Sequence, residues 1–235
     1  MDTKEAIVLA GGLGTRLQSI LTDIPKCMAP VNGKPFLTYV LDFLVTQNIS
    51  KIILSVGFRK EHIINYFGHS YNSIEIEYAV ENEPLGTGGA IKLAMNLVTG
   101  KNAFVINGDT YFVPDLRQML ATHDANSADI TIAVKQMLES QRYGTVAVDK
   151  NGSITDFKEK DPKIGAGLIN GGIYLINKNV MEGFTEKKFS LENDVFKKSF
   201  TSLKMQAYET DAFFLDMGIP EDYIKAQNLI NIQKL

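Results

Sequence analysis

The chain has 235 residues, 45% of them apolar, and a formal net charge of −3. That is enough chain to bury a sizeable core, and the absence of a basic tract argues against nonspecific binding to nucleic acid or an anionic membrane. No run approaches the roughly 18 apolar residues that would span a bilayer, the first five residues lead straight into a strand with no signal peptide, and a single cysteine, Cys27, with three scattered histidines forms neither a disulfide framework nor a zinc pattern. A cytoplasmic protein is expected.

In chain order, Ile7 to Ala10 is a short apolar run of the kind found in a buried parallel strand. It breaks into Gly11-Gly12-Leu13-Gly14-Thr15-Arg16. Glycines there let backbone N–H groups converge on an anion, and Arg16 adds a planar fork of donors for phosphate oxygens. A dinucleotide fingerprint would need glycine where Leu17 stands, and a Walker A loop would need Gly-Lys-Ser/Thr. What remains is a polyphosphate cradle of another kind, or a tight strand-to-helix turn with no ligand.

Helical spacing of Phe36, Leu37, Val40, Leu41 and Leu44 predicts a helix over Pro35 to Gln47. Strands are predicted at Lys51 to Gly57 and Ile74 to Val80, with a short helix at Glu61 to Phe67 between them. A glycine-rich turn at Pro84 to Gly89 precedes a helix over Ala90 to Val98. A fourth strand, Ala103 to Ile106, ends in Asn107-Gly108-Asp109. This β-α-β-α-β-α-β order implies a Rossmann-like α/β fold, with a mostly parallel sheet, helices on both faces and ligands at the strand carboxyl ends. The second half reads as a helix at Asp115 to His123, a strand at Asp129 to Val134 and a hairpin turning at Asp149-Lys150-Asn151-Gly152. A strand at Leu168 to Ile176, a helix at Leu191 to Phe200, a strand at Phe213 to Met217 and a final helix from Pro220 follow. The expectation is one domain over 1–235, its parallel half within 1–110 and an antiparallel insertion within 111–235.

Leu9 to Leu17 followed by Pro25-Lys26 resembles the signature of the sugar-1-phosphate nucleotidylyltransferases, which join a sugar 1-phosphate to a nucleoside triphosphate and release pyrophosphate. The resemblance runs in order along nearly the whole chain. It implies that 1–110 is mainly the nucleotide half and 111–235 mainly the sugar-phosphate half. The hexapeptide β-helix that some relatives append is not seen in this sequence.

The resemblance implies roles for individual residues. Arg16 and Lys26 would be catalytic, Arg16 on the departing β and γ phosphates and Lys26 at the α-phosphate. Leu9, Ala10, Gly11, Gly12, Gly14, Thr15, Arg16, Glu81, Pro84, Gly86, Thr87 and Gly108 would surround the nucleotide. Gly144, Glu159, Lys160 and Asn170 would face the sugar phosphate, although Asp161 stands before Pro162 where the family pattern runs Glu-Lys-Pro, leaving Lys158 as an alternative to Lys160. Asp109 and Asp216 would hold Mg²⁺, an ion that favours carboxylates together with phosphate oxygens. Read by itself, Asp109 is equally an ordinary strand-end turn, and Asp216, in an apolar strand, needs a cation or a polar face.

Glu81 speaks to the nucleobase. Guanine presents two adjacent donors that one carboxylate can accept, whereas uracil or thymine suits an amide. GTP is therefore the expected nucleotide; a solvent-exposed loop acid is the alternative. Within the family the chain is most similar to short guanylyltransferases acting on D-glycero-α-D-manno-heptose 1-phosphate in surface-glycan synthesis. Mannose-1-phosphate guanylyltransferases and amino-sugar-1-phosphate uridylyltransferases are the runners-up, and a nucleotide-sensing regulator is the non-enzyme alternative. His62, His69 and His123 are expected at the surface or in packing. Lys26 beside Cys27 would favour a lowered thiol pKa, but packing is the expected role. Oligomeric state is not legible.

Overall fold

The computed structural model describes residues 3–12, 24–158 and 165–229. In chain order, β1 (Glu5–Leu9) is followed, after a 3₁₀ turn at Lys26–Met28, by a tight hairpin of β2 (Pro30–Val31) and β3 (Lys34–Pro35). Next come α1 (Phe36–Thr46), β4 (Lys51–Val56), α2 (Lys60–Phe67), β5 (Ser70–Tyr71), β6 (Ile74–Val80), α3 (Gly86–Met95), β7 (Asn102–Asn107) and β8 (Thr110–Phe112). The second half holds α4 (Leu116–Ala125), β9 (Ile130–Met137), β10 (Thr145–Val148), β11 (Ile154–Lys158), β12 (Gly167–Asn177) and α5 (Lys178–Glu182). A π turn, Leu191–Phe196, runs into the single turn α6 (Lys197–Ser199) before β13 (Met205–Glu209), β14 (Phe214–Asp216) and α7 (Pro220–Leu229).

β1 is central. It pairs in parallel with β4 on one side and β7 on the other, and β6 extends the parallel core beyond β4. Past β7 the sheet turns antiparallel: the long β12 pairs with β7, β9 and β10, β10 pairs with β11, and β13 lies parallel on β9. The Rossmann-like α/β reading, with its parallel core and antiparallel second half, holds. Alternation along β1 divides the interior. Ala6 and Val8 join a core with α1, α2, α4 and α7, while Ile7 joins the opposite core with α3, α5 and the π turn. Helices therefore cover both faces, and the carboxyl ends of β1, β4, β6 and β7 open at the same edge.

Several elements depart from the sequence expectation. α3 begins at Gly86 rather than Ala90. Its first turn is recruited by a distant partner, since the N–H groups of Gly88 and Gly89 donate to the Phe189 carbonyl at 3.0 and 3.3 Å. The strands β2, β3, β5, β8 and β13 and the helix α5 are too short, or too weakly patterned, to be legible locally. The predicted helix over Leu191 to Phe200 is a π turn continued by one α turn, capped by the Ser190 hydroxyl accepting from the Asn193 N–H at 3.1 Å.

Candidate active site

The strand ends open into a cleft of about 1110 Å³. That exceeds the roughly 300–1,000 Å³ of a site for one small ligand and leaves room for two. Of the residues singled out from the sequence, Leu9, Ala10, Gly11, Gly12, Lys26, Glu81, Pro84, Gly86, Thr87, Asp109, Gly144, Asn170 and Asp216 all line it. Gly108 does not; its N–H instead donates to the Leu9 carbonyl at 3.0 Å, stitching β7 to β1 behind the wall. Lys158 is exposed on β11, 3.7 Å from Asp156, and is not among the lining residues. Gly14, Thr15, Arg16, Glu159 and Lys160 lie outside the described residues.

At the end of the cleft nearest β4 and β6, Glu81 follows the last residue of β6, and its N–H donates to the Val56 carbonyl at 2.8 Å. Its carboxylate accepts from the Leu85 N–H at 3.0 Å and from the Ser55 hydroxyl at 3.4 Å. Each oxygen thus has one protein donor and retains lone-pair capacity toward the cleft. Gly11 must be glycine for this arrangement: a Cβ there would sit 2.8 Å from Glu81 Oε1 and 3.1 Å from the Gly57 nitrogen.

In the middle of the cleft, Lys26 Nζ lies 2.5 Å from Asp109 Oδ2. The 3₁₀ turn presents Lys26 while burying Cys27 and Met28, and the Lys26 side chain is only 14% exposed. Asp109 sits in the turn between β7 and β8. The pairing of β8 with β14 sets Thr110 opposite Asp216, and the Met217 N–H donates to the Asp109 carbonyl at 3.0 Å. The two acids therefore share one wall. Leu215 and Met217 are buried while the intervening Asp216 is half-buried and faces the cleft, so the alternation of β14 supplies the polar face that the sequence left open.

Toward the other end, the Asn170 N–H donates to the Gly144 carbonyl at 2.8 Å, and its side-chain amide donates to the Tyr174 hydroxyl at 2.9 Å and accepts from the Gly172 N–H at 3.0 Å. Burial, with the nearby Asp216 charge adding to it, raises the Tyr143 phenol pKa and keeps that ring neutral. Sequence reasoning passed over Ser55, Phe58, Asn107, Glu192 and Asn193 as lining residues. Glu192 is the most informative of these. Its Oε2 accepts from the hydroxyls of Thr87 at 2.8 Å and Ser190 at 3.0 Å, joining the start of α3 to the π turn. Locally the Ser190 region reads only as a helix start; nothing nearby signals a cleft.

A family profile described as Nucleotidyl transferase matches residues 5–233. The chain belongs to the nucleotidyl transferase family. It is 48% identical over 224 residues to the D-glycero-alpha-D-manno-heptose 1-phosphate guanylyltransferase of Aneurinibacillus thermoaerophilus, covering 95% of this chain and 96% of that one. It is 46% identical to the Campylobacter jejuni protein of the same name, over 93% of this chain and 96% of the relative. Among solved structures, HddC from Yersinia pseudotuberculosis superposes with a TM-score of 0.87 at 37% identity, covering 96% of this chain and 99% of that chain, and a second structure of HddC is complexed with GMP-PN.

In this nucleotidyl transferase, burial pushes the Cys27 thiol up to about 12, with the Asp109 charge adding to it and outweighing Lys26. The lowering suggested by its neighbour in sequence is overturned, and the thiol remains a neutral packing group whose sulfur lies 3.7 Å from the Ala10 carbonyl. His62 and His69 are exposed, while His123 is buried against the Thr131 hydroxyl at 2.9 Å, its pKa lowered by burial. Gly86 has φ +74°, and a Cβ there would meet the Phe189 carbonyl oxygen at 2.6 Å. Gly86→Ala is expected to destabilise the chain by about 1–3 kcal/mol, lowering Tm by roughly 2–10 °C. An unchanged Tm in a thermal melt would remove the strain argument.

Proposed function

We propose that the chain transfers GMP from GTP to D-glycero-α-D-manno-heptose 1-phosphate, releasing pyrophosphate and GDP-heptose for surface-polysaccharide synthesis in the cytoplasm. The observation that carries this is one cleft with a carboxylate, Glu81, at one end, the Asn170–Tyr174 pair at the other and the Lys26–Asp109 pair between them. The two relatives named for this activity, each covering more than nine-tenths of the chain, and the GMP-PN complex of HddC support the choice of base and sugar. In this reading residues 1–110 serve mainly the nucleotide and 111–235 mainly the sugar phosphate.

The reaction follows from these groups. A phosphate oxygen of the sugar 1-phosphate attacks the α-phosphorus of GTP, the bond from that phosphorus to the bridging oxygen breaks, and pyrophosphate leaves with the bond electrons. The nucleophile is already ionised, so no general base is needed. The protein's task is to bring two anions together in line and offset their repulsion. Lys26 would offset charge at the α-phosphate, and Arg16 would hold the departing β and γ phosphates. Asp109 and Asp216 offer hard oxygen donors on one wall, a set that fits Mg²⁺ completed by phosphate oxygens. When bound, Mg²⁺ would supply phosphate charge neutralisation there. Asn170 retains one amide N–H for a sugar hydroxyl beyond its bonds to Tyr174 and Gly172.

The test is pyrophosphate release with GTP, ATP, UTP and dTTP, each against heptose, mannose and N-acetylglucosamine 1-phosphates. GTP with the heptose should lead every other pair in kcat/KM by about tenfold or more, roughly 1.4 kcal/mol of transition-state discrimination. Preference for another pair, or no pyrophosphate from any, would overturn the assignment.

A further inference from the structure

A buried ion pair joins the loop before β10 to the first turn of α7, and neither of its members has a part in the mechanism above. Asp222 lies in the first turn of α7, is 4% exposed and carries two ion pairs, with Arg142 at 2.5 Å and Lys225 at 3.3 Å. Arg142 reaches it from the loop between β9 and β10. The same Nη2 donates to the Tyr143 hydroxyl at 3.2 Å, and the guanidinium lies 5.7 Å from the centre of the Tyr143 ring. Tyr143 in turn sets its ring edge-on to Phe214 of β14, with centroids 5.4 Å apart. Tyr143 and Gly144 both line the cleft.

The loop is held on its other side by β12 and the segment leading into it. The Ser140 hydroxyl donates to the Gly165 carbonyl at 2.8 Å, the Tyr143 N–H donates to the Ser140 carbonyl at 2.9 Å, and the Gly144 carbonyl accepts from Asn170. Leu138, just before these anchors, is 84% exposed and gives the loop no apolar hold. The Arg142–Asp222 pair is therefore the polar tie, beside the Tyr143–Phe214 ring contact, between Tyr143 and the corner of β14 and α7 that carries Asp216.

We propose that Asp222 is a positioning residue for the sugar phosphate: acting through Arg142, it fixes Tyr143 and Gly144 at a set place relative to the wall bearing Asp109 and Asp216. This rests on the assignment of the sugar phosphate to that end of the cleft. A carboxylate buried this deeply is costly unless paired. Its charge is taken up by Arg142 and Lys225, which makes geometry, rather than charge, its contribution. Misplacement of a substrate-holding loop by a fraction of an ångström weakens the substrate it holds and spares the other.

The experiment compares Asp222→Asn, Arg142→Gln, the double variant and Lys225→Ala by steady-state kinetics with GTP and the heptose 1-phosphate. Amide hydrogen exchange over 138–144 is measured in parallel without substrate. Asp222→Asn and Arg142→Gln should each raise KM for the sugar phosphate about tenfold and leave KM for GTP within about twofold. The double variant should be no worse than the worse single one, because both remove one interaction. Lys225→Ala, which breaks the outward pair alone, should behave as wild type. Exchange over 138–144 should accelerate in both single variants. The proposal falls if sugar KM is unchanged, if GTP KM rises equally, if the single effects multiply in the double variant, or if exchange in the loop is unaltered. Arg142→Gln, on the half-exposed partner, keeps the test valid should Asp222→Asn fail to fold. The exchange measurement needs no substrate, so it also separates failure of this strap from failure of the sugar assignment.

Discussion

Replacing Lys26 with Ala is expected to lower kcat by about 100-fold or more, and Asp109→Ala should do the same. Loss of one preorganised charge-stabilising donor costs on the order of 10²–10³ in turnover. Lys26 is well suited to that part: its side chain is 14% exposed, its 3₁₀ turn is anchored by buried Cys27 and Met28, and its partner is 2.5 Å away. A cation held this way needs no reorganisation when charge builds up beside it. The Asp109 side chain is 39% exposed, so the pair is accessible to phosphate, and neither variant should unfold the chain. The two variants should differ in metal dependence. Asp109→Ala should raise the Mg²⁺ concentration for half-maximal activity, whereas Lys26→Ala should lower the plateau. Single-turnover pyrophosphate release over a Mg²⁺ series reads both, and wild-type turnover in either variant would end the catalytic reading of this pair.

The second large effect is on base selection. Glu81→Gln is expected to lower kcat/KM for GTP by about 10- to 100-fold, the range for losing a charge-assisted hydrogen bond of about 1.5–3 kcal/mol. Activity with UTP should fall much less, so the GTP-to-UTP ratio narrows. Glu81 is held by the Leu85 N–H, the Ser55 hydroxyl and the close approach of Gly11, so the carboxylate is aimed before any base arrives. An amide in its place sets an NH₂ either against guanine's donors or against its own protein partners. Competition assays with mixed GTP and UTP would show the change in ratio. If the wild-type chain used both nucleotides equally, Glu81 would lose its part in selecting the base.

Much of the framework was legible along the chain because it is written in contiguous patterns. The apolar run of β1, the alternation of β6, the Asp149–Gly152 turn and the Pro220 start of α7 each carry their signal within a few residues, and each element is present in the structure. Asp109 at a strand exit was legible for the same reason. By contrast, the start of α3 was misplaced because its first turn is recruited by Phe189, far along the chain. The packing role expected of Cys27 holds, but the direction of its thiol shift was not legible: Lys26 is its neighbour in sequence, while burial and Asp109 dominate its surroundings in space.

The sequence by itself determined that this is an α/β chain with a parallel first half and glycines at the end of its first strand, since side-chain periodicity and glycine placement are local properties. Tertiary structure alone decided that Lys26 meets Asp109 across 83 residues, Thr87 meets Glu192 across 105 and Arg142 meets Asp222 across 80. It also decided that Asp216 faces the cleft, because β14 pairs with β8 in the register that sets Asp216 opposite Thr110. Those partnerships depend on strand register and on which sheet face each segment covers. Both are set by how the whole chain buries its apolar surface, a property that no short window of residues contains.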